Sequence, residues 1–194
     1  VLDRISLNAI RDTIMAISDH PKIDAGKIAL LGSSRGAELV LNLASLYNDF
    51  DAVVALVPSY VNFASATPTS NTSAWTHHGK ELSYVGIPYK AMGAAMRGES
   101  LKAIQIALEN LNDSSASIIP VEDISGPILL LSAKDDAIWP SKYMSDKIVS
   151  RLVEKKFKYH FEHYSFDGGH HHTKKHFDKV FEFLDDHFKK SELK

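Results

Sequence analysis

The spacing of hydrophobic residues changes several times along the chain, and each spacing predicts a different kind of element. Three short runs are almost continuously apolar: KIALLG at 27–32, DAVVALV at 51–57 and PILLLS at 127–132. Such runs are typical of strands that are buried on both faces of a sheet. The segment KYHFEHY at 158–164 alternates between apolar and polar residues, which predicts a fourth strand.

Helical spacing occupies the segments between and after these runs. Apolar residues recur at intervals of three and four in 36–47 and 174–190, which predicts amphipathic helices there, and 141–154 is also predicted to be helical. Segment 2–17 has the same spacing, so the chain is expected to begin within or at the edge of a helix. The sequence has no initiator methionine, and we therefore interpret the whole chain as a fragment of a longer protein. The apolar face predicted for the last helix consists of Phe177, Val180, Phe181, Leu184 and Phe188.

Strands that alternate with helices favour a parallel sheet with helices on both faces. Segment 60–125 departs from this alternation, because Ser, Thr, Asn and Pro are frequent in it and a single helix, at 99–111, is predicted within it. The segment is too long for an ordinary connection. We therefore expect a cap or lid inserted into a single α/β domain that covers residues 1–194.

Composition and charge narrow the possible functions. The chain has 194 residues, 44% of them hydrophobic, and a formal net charge of −2, which agrees with a globular domain and gives no indication of a nucleic-acid partner. It contains no cysteine, which excludes disulfides, thiolate metal ligands and a cysteine nucleophile and is compatible with the reducing cytoplasm that we expect. No apolar run approaches the roughly 20 residues that a membrane span needs.

The pentapeptide GSSRG at 32–36 lies between a predicted strand and a predicted helix. This is the context of a nucleophile elbow, G-x-S-x-G, in which Ser34 is presented at the carboxyl end of the strand and glycines at both ends avoid collisions in the tight turn. The backbone N–H of Arg35, at the start of the helix, is then placed to stabilise an oxyanion. The alternative is a turn that only caps the helix or holds a phosphate.

A serine nucleophile needs a base and an orienting acid, and in this fold they follow it in the order acid, then histidine. Asp135 and Asp136 come directly after the third buried run, and His170 follows two glycines after the fourth strand. All of these positions follow carboxyl ends of parallel strands, where open α/β sheets place their sites. Asp136 is favoured as the acid over Asp135, which is an alternative candidate or a cap for the following turn.

Other polar and aromatic side chains have weaker functional interpretations. His170, His171, His172 and His176 could form a metal cluster, but the H-E-x-x-H arrangement is missing and solvated histidines are the favoured interpretation, so no metal and no cofactor is expected. Trp139 is interpreted as a packing residue beside the acid, with a substrate platform as the alternative. The side chain of Arg35 could also meet an anionic group of a substrate.

These motifs together resemble one family, the C-terminal domain of acyl-CoA thioester hydrolases and bile acid-CoA:amino acid N-acyltransferases, a branch of the α/β-hydrolases. The string GSSRGAEL at 32–39 is similar to the elbow of that family, and the similarity extends from about His20 to about His170. The further stretches that carry it are His20-Pro21, IPVE at 119–122, GPILL at 126–130, Asp135-Asp136 with Trp139 and Ser141, and Gly169-His170.

The resemblance implies that Ser34 is the nucleophile, His170 the general base and Asp136 its partner, since the tryptophan follows the family's acid by three positions. It implies a small-molecule acyl thioester, typically of coenzyme A, as substrate. Conjugating members tend to use cysteine as nucleophile, so Ser34 favours hydrolysis. The alternatives are a carboxylesterase or peptidase of the same fold, an N-acyltransferase, or a catalytically silent binding module.

The chain also departs from the family pattern. The N-terminal β-sandwich and the strands before the elbow strand are absent from the given sequence, and a loop of those strands normally carries the second oxyanion donor. The resemblance therefore implies an α/β-hydrolase fold without its N-terminal strands and with only part of an oxyanion hole. A shortened sheet leaves an exposed edge strand, so we also expect that the chain can form homo-oligomers.

Overall fold

A computed structural model describes residues 2–18, 20–23, 26–67, 71–112 and 114–189 of the chain. Lys190, the predicted end of the last helix, lies outside the described residues. The strands and α-helices, in chain order, are β1 (Ile5–Ser6), α1 (Leu7–Ser18), β2 (Ala29–Ser33), α2 (Arg35–Leu46), β3 (Ala52–Leu56), β4 (Trp75–His77), β5 (Lys80–Glu81), α3 (Tyr89–Met96), α4 (Ser100–Leu108), β6 (Ile128–Ala133), α5 (Ser141–Glu154), β7 (Phe161–Phe166) and α6 (Phe177–Phe183).

The chain forms two compact units, and each is built from two separate segments. The smaller unit comprises residues 1–27 and 61–119, and the larger comprises 28–60 and 120–194. The larger unit contains the four predicted strands and all of the candidate catalytic residues. The interpretation of 60–125 as a cap stays a prediction.

The larger unit is built on a four-stranded sheet in the order β2-β3-β6-β7, and every neighbouring pair is parallel. The two central strands, β3 and β6, are buried along their whole length, as their continuous apolar composition predicts. The four strands predicted from the sequence are confirmed, with their ends shifted by a few residues. In this sheet β2 and β7 each pair on one side only.

Helices supply the apolar layer against the sheet. The side chains of Val54 and Leu56 from β3 and of Leu129 from β6 pack in one buried cluster with Val180 and Phe183 of α6. The last helical segment differs from the prediction, because a 3-10 turn precedes α6 and a π-helical turn, Leu184–Lys189, follows it.

The predicted apolar face of that helix is wrong at one position, Phe181, whose side chain is 63% exposed. The buried face is centred on Val180 and also includes Phe183. On a helix with 100° between residues, Phe181 is directed about 100° away from Val180. The predicted face includes Phe181 and leaves out Phe183, so it is rotated towards Phe181 relative to the face that is buried.

The smaller unit has a sheet of three very short strands. β1 pairs in parallel with β4, so that Ile5 faces Trp75, and β4 pairs with β5 in an antiparallel hairpin. In the same unit α3 and α4 pack through Ala91, Ala94 and Ala103, small side chains that allow two helices to approach closely. Within the described residues, no helix has the length and hydropathy that crossing a membrane requires.

Candidate active site

Ser34 occupies a strained position between β2 and α2. Its backbone angles are φ 59° and ψ −122°, a region that residues with a side chain rarely adopt and that costs about 1–3 kcal/mol. Two sets of hydrogen bonds hold it there. The Ser34 N–H donates to the carbonyl oxygen of Leu56 (2.9 Å), and the Ser34 carbonyl accepts from the N–H groups of Ala37 (2.9 Å) and Glu38 (3.1 Å).

Glycine is required at the first position of the elbow, Gly32, because the backbone of Gly36 lies directly against it. A Cβ atom at Gly32 would lie 2.0 Å from the carbonyl oxygen of Gly36 and 2.8 Å from the nitrogen of Ala37, so no other residue fits without moving the start of α2. A Cβ at Gly36 would meet no atom within 4 Å. The collision expected at both glycines therefore occurs only at Gly32.

Asp136 and His170 form a buried hydrogen-bonded pair. His170 Nδ1 lies 2.8 Å from Asp136 Oδ2, and the two residues are only 7% and 4% exposed. The other carboxylate oxygen, Oδ1, accepts from the N–H groups of Ile138 (3.0 Å) and Trp139 (3.3 Å). Burial opposes ionisation of Asp136, but hydrogen bonds from His170, Ser141 and Ile138 outweigh it and keep the pKa of this carboxyl below its ordinary value.

Asp135 makes different contacts from Asp136, although the two are adjacent in sequence. Its Oδ2 accepts a hydrogen bond from the N–H of Gly168 (2.9 Å), and its own N–H donates to the Gly168 carbonyl (3.1 Å). Asp135 therefore holds the loop that precedes His170. Asp136, which the sequence favoured over Asp135, is the aspartate that contacts the histidine.

Trp139 joins the loop that contains Asp136 to two other parts of the candidate site. Its ring meets the His170 ring edge to face, with centroids 5.8 Å apart and planes at 66°. Its indole Nε1–H donates to the carbonyl oxygen of Val57 (3.2 Å), the residue after β3. With 4% exposure, Trp139 is packed as the sequence indicated.

Ser34, Asp136 and His170 follow the carboxyl ends of β2, β6 and β7. Because these strands are parallel, the three residues belong to the same edge of the sheet. The structure joins Asp136 to His170 directly, whereas within the described residues no hydrogen bond links Ser34 Oγ to the imidazole. The bond between a nucleophile and its base is often long until a substrate binds.

The side chain of Arg35 forms an ion pair with Glu38, a residue that is not among the predicted site residues. Arg35 Nη1 donates to Glu38 Oε2 at 2.6 Å, and Glu38 is fully buried. Burial lowers the pKa of Arg35, and the nearby Glu38 carboxylate opposes that shift. The only sequence signal for this pair was the i, i+3 spacing of opposite charges on a helix. A substrate anion that binds the Arg35 side chain would therefore compete with the Glu38 carboxylate.

The histidines after His170 have packing contacts. The ring of His172 lies against Gly168, where an added Cβ would come within 2.5 Å of its Cγ. The ring of His176 stacks on Phe166, with centroids 3.5 Å apart. Within the described residues, the group of side chains that could hold a metal ion does not include any of these histidines.

Known structures that resemble this chain are α/β-hydrolases. Uncomplexed acylaminoacyl peptidase of Pyrococcus horikoshii superposes with a TM-score of 0.59 at 16% identity and covers 97% of this chain and 28% of the peptidase. Acetyl xylan esterase 1 of a Thermoanaerobacterium species gives a TM-score of 0.53 at 14% identity and covers 93% of this chain and 51% of the esterase. At such identities the likeness establishes the fold, which is that of an α/β-hydrolase.

The family is established by sequence. Residues 5–177 match the family described as BAAT / Acyl-CoA thioester hydrolase C terminal, and the chain belongs to this family. Peroxisomal succinyl-coenzyme A thioesterase of Mus musculus is 26% identical over 163 residues, which cover 78% of this chain and 34% of that protein. The chain thus spans about a third of the length of the curated relatives it matches.

Proposed function

We propose that this chain is the catalytic region of a serine hydrolase that cleaves acyl thioesters, with coenzyme A esters as the substrate class. The observation that carries the proposal is the buried Asp136–His170 hydrogen bond, which lies at the sheet edge that also presents the strained Ser34. Membership of a thioester hydrolase family and the curated relatives, which are acyl-CoA thioesterases, support the choice of substrate.

The first chemical step is acylation of Ser34. His170 is held through Nδ1 by Asp136, so its Nε2 is the atom free to take the proton of Ser34 Oγ as this oxygen attacks the thioester carbonyl. The carbon–sulfur bond then breaks, and the leaving thiolate takes the proton from His170. Asp136 keeps the imidazole in the required tautomer and stabilises its positive charge.

The second step is hydrolysis of the acyl-enzyme. His170 accepts a proton from a water molecule as the water oxygen attacks the acyl carbon, and it returns that proton to Ser34 Oγ when the carboxylic acid leaves. In both steps the backbone N–H of Arg35, in the first turn of α2, is the proposed donor to the oxyanion. The resemblance to the family implies a second donor from a segment that precedes the elbow strand.

Hydrolysis is favoured over transfer of the acyl group to an amino acid. The nucleophile position holds serine, and the chain contains no cysteine, whereas the resemblance implies cysteine in conjugating members. An oxygen ester at Ser34 is less reactive towards amines than a thioester would be, so water is the expected acceptor.

The proposal is tested by measuring thiol release from acyl-coenzyme A substrates of several chain lengths. Ser34→Ala is expected to reduce kcat by at least 10³-fold, while Ser33→Ala, which removes the neighbouring hydroxyl, serves as the matched control and retains activity. Labelling with a fluorophosphonate probe is expected for the wild type and for Ser33→Ala only. Equal turnover by wild type and Ser34→Ala, or no labelling of the folded wild type, contradicts the proposal and favours a silent binding module.

A substrate panel separates the related activities. We expect faster turnover of acyl-coenzyme A than of p-nitrophenyl esters or peptides, and no amide product when an amino acid is added as acceptor. Preferential cleavage of esters or peptides supports the carboxylesterase or peptidase alternative, and formation of an amide supports the acyltransferase alternative.

A further inference from the structure

Two histidines and a glutamate converge at the amino end of β7. His160 Nε2 lies 2.7 Å from Glu162 Oε1, and His187 Nε2 lies 3.4 Å from the same oxygen. The ligand atoms of the three side chains all lie within 4.8 Å of one another. We refer to these residues as the His160–Glu162–His187 cluster.

The fold brings the cluster together from two elements. His160 directly precedes β7 and Glu162 is the second residue of the strand. Because the two are two residues apart along extended chain, their side chains are directed to the same side. His187 lies in the π-helical turn that follows α6, and its ring stacks on that of His160 with centroids 3.8 Å apart and planes at 19°. The packing of Phe183 in the core fixes this end of the helix beside the strand.

The donor atoms and their spacing suit Zn²⁺. Imidazole nitrogen and carboxylate oxygen are common zinc ligands, at about 2.0–2.2 Å from the ion. Around a tetrahedral ion these lengths place neighbouring ligand atoms about 3.4 Å apart. The two separations to Glu162 Oε1, 2.7 Å and 3.4 Å, need only small changes to match. The stacked rings must tilt apart so that both nitrogen lone pairs converge on one ion.

The surroundings of Glu162 resemble the supporting contacts of known metal ligands. The Tyr164 hydroxyl lies near the Glu162 carboxylate, and neighbouring hydroxyls of this kind orient a ligating carboxylate. The side chains of His160, Glu162 and His187 are 46%, 25% and 29% exposed, so an ion can enter from solvent and keep a water molecule as its fourth ligand.

We propose that the His160–Glu162–His187 cluster is a zinc-binding site that links β7 to the C-terminal helical segment. It lies at the opposite end of β7 from the loop that carries His170, five residue steps of about 3.3 Å along the strand. The site is therefore separate from the candidate active site, and its role is to stabilise the fold.

The experiment titrates the metal-free chain with Zn²⁺, measures Kd by calorimetry and measures Tm by thermal unfolding. One ion is expected to bind at this cluster, and a Zn²⁺ concentration 100-fold above Kd is expected to raise Tm by roughly 5–10 °C. A chelator must reverse the shift. His160→Ala and His187→Ala are each expected to weaken binding at least 10-fold, as is Glu162→Gln.

His20→Ala is the matched control, because it removes an exposed histidine outside the cluster. It is expected to bind Zn²⁺ as the wild type does. Circular dichroism and Tm of each variant without metal show whether it has folded. If the folded double variant His160→Ala/His187→Ala keeps the full Zn²⁺-induced rise in Tm, or if the wild type shows no rise, the proposal is overturned. Neither readout depends on hydrolytic activity, so this result is independent of the thioesterase test.

Discussion

The indole N–H of Trp139 donates a hydrogen bond to the carbonyl oxygen of Val57 at 3.2 Å. Val57 has φ 42°, which is unfavourable for a β-branched residue, and its N–H donates to the carbonyl of Leu131 at 2.6 Å. The strained backbone after β3 is therefore held on both sides by the β6 strand and the loop that follows it. Because the same indole ring contacts His170, the strain at Val57 and the position of the histidine are linked through one side chain.

We expect Trp139→Phe to lower both stability and catalytic efficiency. Phenylalanine keeps an aromatic ring beside His170 but cannot donate to Val57, so a buried carbonyl loses its partner at a cost of about 1–2 kcal/mol. A decrease in kcat with little change in KM is expected, because the histidine is displaced rather than the substrate.

The control for this variant is Trp75→Phe, which alters the other buried tryptophan, in the smaller unit. It is expected to lower Tm with a smaller effect on kcat. Equal effects of the two variants on kcat at matched stability argue against a positioning role for Trp139.

We expect Asp136→Asn to reduce kcat by about 10³- to 10⁴-fold, because an amide at this position favours the wrong tautomer of His170. Asp135→Asn is the matched control, since Asp135 contacts the backbone of Gly168 and not the histidine. It is expected to reduce kcat much less. Steady-state kinetics that compare the loss of kcat in the two variants test the assignment of Asp136 as the acid. A larger loss of kcat in Asp135→Asn than in Asp136→Asn would assign that role to Asp135 instead.

Gly168→Ala is expected to impair folding and activity together. Gly168 has φ +109°, and a Cβ there would lie 2.5 Å from the ring of His172, so both the backbone and the packing next to His170 resist a side chain. Gly98→Ala is the control, because Gly98 has φ +76° but open space around its Cβ position. The control is expected to cost about 1 kcal/mol and to leave kcat unchanged. Equal losses of kcat in both variants contradict this account.

Stability in acid is expected to depend on the ion pair between Glu122 and Arg151, which is bidentate and partly buried. Burial opposes ionisation of Glu122, but hydrogen bonds from Arg151 and from the backbone, together with the charge of Arg151, hold the pKa of this carboxyl below its ordinary value. A lowered pKa in the folded state means that the stabilisation is present above the unfolded-state pKa and is lost as pH falls through the folded-state pKa.

Glu122→Gln is therefore expected to be about 1–2 kcal/mol less stable than the wild type at pH 7. The difference should shrink below about pH 4. Denaturant unfolding at several pH values measures it. Glu99→Gln, which removes the partner of the exposed Arg97, is expected to change stability by less than about 0.5 kcal/mol. A difference for Glu122→Gln that is constant across pH contradicts the linkage argument.

The parts of the fold that the sequence predicted depend on local patterns. The runs that form β3 and β6 are continuously apolar because both faces of each strand are covered. The elbow, the loop with Asp136 and the loop with His170 could be located because each comes directly after the end of a strand. The sequence favours Asp136 over Asp135, but the physical basis of that choice is not local. It depends on which carboxylate is buried against His170, and that is decided by the hydrogen bonds of the loop.

The parts that were missed depend on contacts between distant residues. The pairing of Ile5 with Trp75 spans most of the N-terminal half, and no local periodicity reports it. No local pattern indicates that Glu38 is buried, although tertiary packing buries it completely. The His160–Glu162–His187 cluster depends on a π-helical turn, which shifts the direction of His187 from that of a regular helix.

The pairing of β1 with β4 also determines how the protein can be shortened. Residues 1–27 and 61–119 form one compact unit although 33 residues, 28–60, separate them in sequence. Excision of 61–119 alone would leave the backbone groups of Ile5 and Ser6 without Trp75 and Thr76 as partners. A minimal protein that retains the four-stranded sheet must therefore start near Ile28 and replace 61–119 by a linker, so that both pieces of the smaller unit are removed together.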